Sequence, residues 1–282
     1  MPYFDESGLL MGQLPGHHGM SEIYTHIYAA FFLFFASVAA TAIVYSTLKK
    51  SKFSWPVLLG GMMYVGGIGL GEGIEHLPFL DQYIRSMGHY IHLLSAPIAV
   101  FTLYLGMKET VSICKVGPEK AKLGGAEIGM GIFAAASMAV VIMGYMAHTP
   151  WNERIEGPVL LMIFLPTLYF VGLVIYESRH FAESTEMLYL PIVSIAVSVL
   201  TLDIWIGRFA DVQGYAGLYV WTHAFQDAWL AATGGMILLF ALHIWYSHRI
   251  GRLFLLGISS REQAAEHVAP KTKKKDFRID EQ

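Results

Sequence analysis

The chain has 282 residues, of which 55% are hydrophobic and only 15% are charged, and its formal net charge is −3. Soluble domains average about 25% charged residues, and charge is scarce in membrane segments because it is costly in hydrocarbon. No basic face of the kind that binds nucleic acid is evident, so no nucleic-acid partner is expected. The single cysteine, Cys114, excludes an internal disulfide.

Seven apolar segments approach or exceed the roughly 20 residues that a membrane-spanning helix requires. They predict an all-α, multi-pass protein of the cell membrane, with a bundle of about seven transmembrane helices at 23–48, 55–74, 87–107, 126–147, 157–176, 187–207 and 216–246. The first segment lacks a basic stretch before it and a cleavage site after it, which favours a membrane helix over a signal peptide. We therefore predict an outer N-terminal segment at 1–22, a transmembrane domain at 23–248 and a cytoplasmic tail at 249–282.

Lysine and arginine placement predicts the orientation of the bundle, because cytoplasmic loops carry the excess of these residues. With the N-terminus outside, the outer segments carry only Arg85, Arg154 and Arg208, and the other sixteen of the nineteen basic residues are inside. The second segment is rich in glycine, and small residues let helices pack closely in lipid. The glycines expected to pack in this way are Gly60, Gly61, Gly66, Gly67, Gly69 and Gly71.

A polar layer is predicted at the outer face. Eight of the twelve histidines fall there: His17, His18, His26, His76, His89, His92, His148 and His223. Four carboxylates join them: Glu72, Glu75, Asp203 and Asp227. Ionisable groups at membrane depth usually face the bundle interior, where they pair or bind a ligand. Their shared depth on helices 1, 2, 3, 6 and 7 therefore favours a binding site.

The spacing of four of these residues predicts a metal site. Glu72 and His76 are four positions apart and share one face of helix 2, whereas His89 and His92 lie on the first turn of helix 3. A short connection containing Pro78 joins the two helices, so the four side chains can converge. Imidazole and carboxylate ligands suit copper, iron or zinc. The expected ligands are Glu72, His76, His89 and His92, and the groups expected to orient them are Glu75, Asp203, His223 and Asp227.

The run Glu72-x3-His76-x12-His89 resembles the Asp-x3-His-x12-His copper-ligand run in a membrane subunit of particulate methane and ammonia monooxygenases, the copper membrane monooxygenases. In that family too, two ligands end one membrane helix and the third opens the next. The resemblance spans residues 72–89 and implies a copper site. This chain has Glu72 in place of aspartate. It matches the family's second run, Asn-x3-His followed by another histidine, only at Gly144-x3-His148, and it continues for two helices beyond the family's expected end.

Other interpretations stay open at the level of sequence. Seven-helix zinc hydrolases of the alkaline ceramidase and adiponectin receptor kind are similar in placing ligands on helices 2, 3 and 7. This chain lacks their helix-2 serine and second helix-7 histidine, and its helix 3 opens with His89 instead of their aspartate. Haem b needs two histidines on different helices at equal depth, for which His26 with His92, or His76 with His223, are candidates. A non-catalytic subunit with a polar packing network or proton path is the remaining alternative.

The sequence thus predicts an integral membrane subunit of a redox complex. Copper or iron at the outer face would serve oxygen activation or electron transfer, with zinc or haem b as alternative cofactors. The expected partners are membrane lipid, other membrane subunits and an electron donor, because no segment predicts a soluble domain that could receive electrons.

Overall fold

The computed structural model describes residues 20–48, 55–116, 123–146, 153–179, 189–212 and 215–249. Within these ranges the chain is all-helical, as predicted. The helices are α1 (Met20–Leu48), α2 (Trp55–His76), α3 (Gln82–Val116), α4 (Gly125–Met146), α5 (Glu153–Ser178), α6 (Tyr189–Val212) and α7 (Ala216–Arg249). Most of the predicted outer segment 1–22, nearly all of the tail 249–282, and His148 of the second copper-type run lie outside the described residues.

The helices extend past the apolar segments from which they were predicted. The largest difference is in α3, which runs from Gln82 to Val116, whereas its apolar segment covers 87–107. Backbone N–H and C=O groups must stay hydrogen-bonded until the chain reaches water or headgroups. Helical structure therefore continues through polar residues that hydropathy does not count.

Six helices form a closed ring in the order α1, α2, α3, α5, α6, α7, with α7 returning to α1. Among the described residues, the fourth helix, α4, lies outside this ring and packs mainly on α5 and α3. Large apolar side chains fill the interior, among them Leu33, Leu103, Tyr104, Phe170 and Phe240, each no more than 1% exposed. The ring brings the beginnings of α1, α3 and α7 and the end of α2 to one end of the bundle.

A tight connection separates α2 from α3. Pro78 disfavours helical backbone at the residue before it, and α2 ends at His76. The backbone N–H of Arg85 donates to the carbonyl of Asp81 at 3.0 Å, which opens α3. The five-residue connection folds the two helices into an antiparallel pair.

Glycines allow the backbones of α1, α2 and α3 to approach closely. A Cβ added at Gly71 would lie 2.5 Å from the backbone nitrogen of His92, and one at Gly88 would lie 2.7 Å from that of Glu75. The packing role predicted for the glycines of α2 is confirmed at Gly61, Gly66, Gly67, Gly69 and Gly71, whereas Gly60 meets no atom within 4 Å. The contact between Gly71 and Gly88 sets the end of α2 against the beginning of α3.

The surface of the bundle suits lipid. Five helical stretches are long and apolar enough to cross a membrane: Tyr24–Leu48, Met87–Glu109, Gly125–Met143, Leu161–Ser178 and Ala224–Arg249. A shorter apolar stretch, Tyr189–Asp203, lies in α6. Exposed apolar side chains cover the outside, including Phe35 and Ile132. The described part of the chain therefore has the helices of a membrane protein.

Exposed aromatic side chains form a belt at each end of the bundle. Tyr24, Tyr28, Tyr215 and Trp221 lie at one end, and Tyr45, Tyr176, Trp245 and Tyr246 lie at the other. Tyrosine and tryptophan are enriched where membrane meets water. The twenty-one positions from Tyr24 to Tyr45 in α1 correspond to about 32 Å of helix, close to the roughly 30 Å of a hydrocarbon core.

Candidate metal centre

Histidines and carboxylates from four helices meet at the end of the bundle where α2 joins α3. His26 comes from α1, Glu72 and Glu75 from α2, and His89 and His92 from α3, and each is at most 8% exposed. Asp227 and Gln226 of α7 close the fourth side. Buried ionisable groups are costly unless they are paired or bind an ion, so this concentration calls for a specific partner.

The first group contains His26, Glu72 and His76, whose ligand atoms all lie within 4.8 Å of one another. His26 Nε2 is 3.0 Å from Glu72 Oε1. His76 Nδ1 is 3.0 Å from the backbone carbonyl oxygen of Glu72, to which it can donate, and 3.9 Å from Glu72 Oε1. A donation through Nδ1 would leave Nε2 of His76 as its ligand atom.

The second group contains Glu75, His89 and His92, again with ligand atoms within 4.8 Å of one another. His89 Nδ1 lies 2.9 Å from Glu75 Oε1 and 3.0 Å from Oε2. His92 Nδ1 lies 3.3 Å from Glu75 Oε2. Arg85 donates through Nε to the backbone carbonyl of Glu75 at 3.0 Å, which fixes the end of α2 beside this group.

Glu72 connects the two groups. Its Oε1 faces His26 and also accepts a hydrogen bond of 2.7 Å from the side-chain amide of Gln226. Its Oε2 faces His92 Nδ1 at 2.8 Å. That pair is close without the geometry of a hydrogen bond: Oε2 and both ring nitrogens of His92 have no hydrogen-bond partner in the described part of the chain.

The second ring nitrogen of His26 is held by α7, because His26 Nδ1 bonds to Asp227 Oδ1. A ligand histidine in a metalloprotein usually donates its other ring N–H to a carboxylate or carbonyl, which fixes the tautomer and the ring orientation. The arrangement Asp227–His26–Glu72 has this form, with Nε2 of His26 turned towards the centre.

The structure places the predicted ligands in two groups. Glu72 and His76 lie with His26, whereas His89 and His92 lie with Glu75. Glu75 and Asp227, predicted as orienting groups, contact His89 and His26 directly. Both predicted inward-facing aspartates are turned inward: Asp203 is 6% exposed and Asp227 pairs with His26. The side chain of His223 is outside the described residues.

Asp203 lies beside the centre on α6 and interacts electrostatically with Glu72 and His26. Its Oδ2 has no hydrogen-bond partner among the described residues. From the sequence we expected this carboxylate within reach of a histidine or of Arg208. His26 is a histidine within electrostatic reach, and the side chain of Arg208 lies outside the described residues.

Two contributors were not predicted as part of the metal site, namely His26 and Gln226. Both reach it through the packing of α1 and α7 on α2, which brings residues together that are far apart in sequence. The sequence feature that could have identified His26 was its place in the outer histidine layer. For Gln226 the one such feature was its position beside Asp227.

The geometry bears on the haem alternative. The two ring nitrogens of His26 face Asp227 and Glu72, so in the pair His26 with His92 haem iron would compete with Glu72 for Nε2 of His26. The other candidate pair includes His223, whose side chain is not described.

Comparisons of the chain with protein-family models, with curated proteins and with solved structures find no match.

Proposed function

We propose that the protein is an integral membrane subunit of a redox complex that holds iron or copper at its outer face. The metal would serve oxygen activation or electron transfer. One observation carries the proposal: two adjacent groups, each of two histidines and one carboxylate, lie at one end of a membrane helix bundle, and every member except the half-buried His76 is buried.

The contact between His92 and Glu72 favours a metal over a purely hydrogen-bonded network, because the facing atoms lack hydrogen-bond partners in the described residues. In a hydrogen bond, the donor's N–H points at the acceptor. His92 Nδ1 and Glu72 Oε2 are 2.8 Å apart, yet neither has a hydrogen-bond partner in the described residues. A metal bound by both atoms produces this offset, because the ion and not the oxygen lies on the lone-pair direction of the nitrogen.

The donor atoms favour iron or copper, and their separations suit such an ion as well as they suit hydrogen bonds. Two ligands about 2.05 Å from a metal lie about 2.9 Å apart at a right angle and about 3.3 Å apart at a tetrahedral angle. The histidine–carboxylate separations here are 3.0 Å for His26–Glu72 and 2.9 Å for His89–Glu75. Two histidines and one carboxylate with open positions are typical of non-haem iron, and tetragonal nitrogen and oxygen sites are typical of copper.

Charge supports the same assignment. Among the described residues, each ion pair of Glu72, Glu75 and Asp227 has a histidine as its cation. Arg85 also interacts electrostatically with Glu75, whereas Glu72 and Asp227 pair with histidines. Buried carboxylates paired with histidines need protons or metal ions to offset the cost of desolvation. A metal ion is the larger local charge and would stabilise all three carboxylates together.

The finer membrane arrangement is part of the proposal. All seven helices cross the cell membrane, with the N-terminus outside and the C-terminal tail in the cytoplasm. The support is the sixteen-to-three division of basic residues and the aromatic belt at each end of the bundle. The metal centre then lies near the outer surface, where a small molecule such as dioxygen would reach it without crossing the membrane.

The proposed redox function requires a source of electrons, which we expect to be a partner protein. Every element in the described ranges is a helix of the bundle, and none forms a separate domain that could carry a second redox group. Electrons would therefore come from an electron donor or another membrane subunit. The exposed apolar surface of α4, which lies outside the ring of six, is available to lipid or to such a subunit.

The test is metal content after isolation under native conditions. The full-length protein, purified with its membrane partners, is analysed for metal by mass spectrometry and for haem by its visible spectrum. We expect iron or copper and no Soret band. In His76→Ala and His89→Ala we expect a reduced metal content in protein that remains folded. His248→Ala, which replaces an exposed histidine at the opposite end of α7, should keep the full content.

Each other outcome would count against the proposal. A Soret band would assign haem b, and zinc alone would favour a zinc hydrolase. The complete absence of metal would favour a hydrogen-bonded packing network or proton path. Full metal occupancy in both variants would remove the site from these residues.

A further inference from the structure

The two oxygens of the Glu72 carboxylate face histidines of different groups. Oε1 is 3.0 Å from His26 Nε2, and Oε2 is 2.8 Å from His92 Nδ1. These two histidines come from α1 and α3, on opposite sides of α2. A carboxylate with one oxygen towards each of two ligand sets has the disposition of a bridging ligand.

The two ligand sets are equivalent in composition and complete without each other. His26, His76 and Glu72 form one, and His89, His92 and Glu75 form the other, each with its ligand atoms within 4.8 Å. A single ion that used both sets would have six protein ligands and no open position for dioxygen. The sequence alone suggested one site made from parts of both.

Helix geometry explains why the sets are adjacent. Glu72 and Glu75 are three positions apart, as are His89 and His92, so each pair lies on one helix face at neighbouring turns. The close approach of Gly71 to Gly88 places these two faces against each other. The same contact thus sets His89 and His92 of α3 beside Glu72 and Glu75 of α2, whose carboxylates belong to different sets.

We propose that the centre binds two metal ions, one in each set, with the carboxylate of Glu72 bridging them. This inference rests on the proposed function, namely that the buried residues bind iron or copper. Two ions of this kind are held about 3.5–4 Å apart in known two-metal sites. Four imidazoles and the carboxylates of Glu72 and Glu75 supply the ligands, and Asp227 orients His26.

The unpartnered atoms support two ions more than one. Glu72 Oε2 and His92 Nδ1 and Nε2 are buried and lack hydrogen-bond partners in the described residues. An ion in the first set alone would use His26, His76 and Oε1 and would leave these atoms without a hydrogen-bond partner, which is unfavourable for buried polar groups. An ion in the second set satisfies Oε2 and one nitrogen of His92.

The experiment measures stoichiometry in the full-length protein. Protein stripped of metal by a chelator is titrated without oxygen with Fe²⁺ and, in a separate series, with Cu²⁺, and ions retained after a weak-chelator wash are counted. We expect two equivalents per chain. We expect one equivalent in His76→Ala and one in His89→Ala, because each variant disables one set. His248→Ala controls for metal held by surface histidine and should retain two.

A second readout reports the bridge without relying on a deletion. Two Cu²⁺ ions joined by a carboxylate are magnetically coupled, so electron paramagnetic resonance should detect fewer than two spins for two bound ions. Glu72→Gln should restore the uncoupled signal or lose one ion. Unmodified protein that retains one equivalent would overturn the two-ion inference and leave the proposed function standing, whereas protein that retains none would overturn both.

Discussion

Asp227 is the residue whose role is tested most directly by a single substitution. Its carboxylate bonds to Nδ1 of His26, and Nε2 of the same ring faces Glu72. Carboxylates in this position raise the basicity of a ligand histidine and fix its orientation, and their loss typically reduces metal affinity by about 10–100-fold. We therefore expect Asp227→Asn to weaken metal binding by that factor without unfolding the protein.

The measurement is a competition titration against a chelator of known affinity. Asp81→Asn is a matched control, because Asp81 is exposed in the connection between α2 and α3 and loses the same charge. Equal affinities in Asp227→Asn and the unmodified protein would show that the contact of Asp227 with His26 does not support metal binding.

At the scale of residues, the sequence predicted the part of the centre that comes from α2 and α3, which are neighbours along the chain. Glu72 with His76 and His89 with His92 share helix faces, and a five-residue connection confines the two pairs to one end of the bundle. The contributions of His26 and Gln226 depend on which helices pack beside α2. That choice is made by the shapes of side chains on α1 and α7, which periodicity and charge do not report.

At the scale of helices, the approach of α2 to α3 is the contact on which the centre depends. A Cβ at Gly88 would lie 2.7 Å from both the backbone nitrogen of Glu75 and the carbonyl oxygen of Gly71. Backbone cannot move aside as a flexible side chain can, so Gly88→Ala should push the helices apart. Overpacking of this kind costs about 1–3 kcal/mol.

We expect Gly88→Ala to lower the melting temperature and to lower metal occupancy together. Gly129→Ala is the matched control, because a Cβ at this helical glycine of α4 meets no atom within 4 Å and alanine favours helix. If Gly88→Ala melts at a lower temperature but keeps full occupancy, the close approach stabilises the bundle without positioning the ligands.

The attachment of α4 gives a further prediction, since this helix lies outside the ring. Lys108 Nζ of α3 donates to both carboxylate oxygens of Glu127 at 2.5 and 2.6 Å, and Tyr104 donates to the same group. The Lys108 and Glu127 side chains are only 18% and 13% exposed, so water screens the pair weakly. Hydrogen bonds to charged groups contribute about 1.5–3 kcal/mol.

A double-mutant cycle of Lys108→Met and Glu127→Gln measures this contact. We expect each single variant to unfold more easily and the double variant to be more stable than the sum of the two losses predicts. Strict additivity would mean that apolar packing and not the ion pair holds α4 to α3.

The helices themselves were largely predictable, because long apolar runs have few alternatives in a chain of this composition. Their ends were not, as the polar extensions of α3 show. The order of the helices in the ring could not be predicted from the sequence either. The position of α4 outside the ring depends on how the six other helices pack together. The glycines of α2 indicated close packing correctly but did not identify the partner helices.

For the whole molecule, the central question is which side of the membrane the metal centre faces. The centre lies at the beginning of α3, and Cys114 lies in the last turn of the same helix. The twenty-five positions between His89 and Cys114 correspond to about 38 Å of helix, more than the roughly 30 Å of a hydrocarbon core. The thiol and the centre should therefore be on opposite sides of the membrane.

Labelling of single cysteines decides the orientation. The distribution of basic residues places the end of α3 in the cytoplasm, so a membrane-impermeant thiol reagent should leave Cys114 unlabelled in intact cells and label it after the membrane is opened. Phe79→Cys in a Cys114→Ser background provides the opposite case. Phe79 is 77% exposed in the connection between α2 and α3, beside the centre, and its replacement should react in intact cells. The reverse pattern would place the centre on the cytoplasmic side. Electrons could then reach it from soluble cytoplasmic donors, and the outer-face redox function proposed here would be wrong even if both metal ions were present.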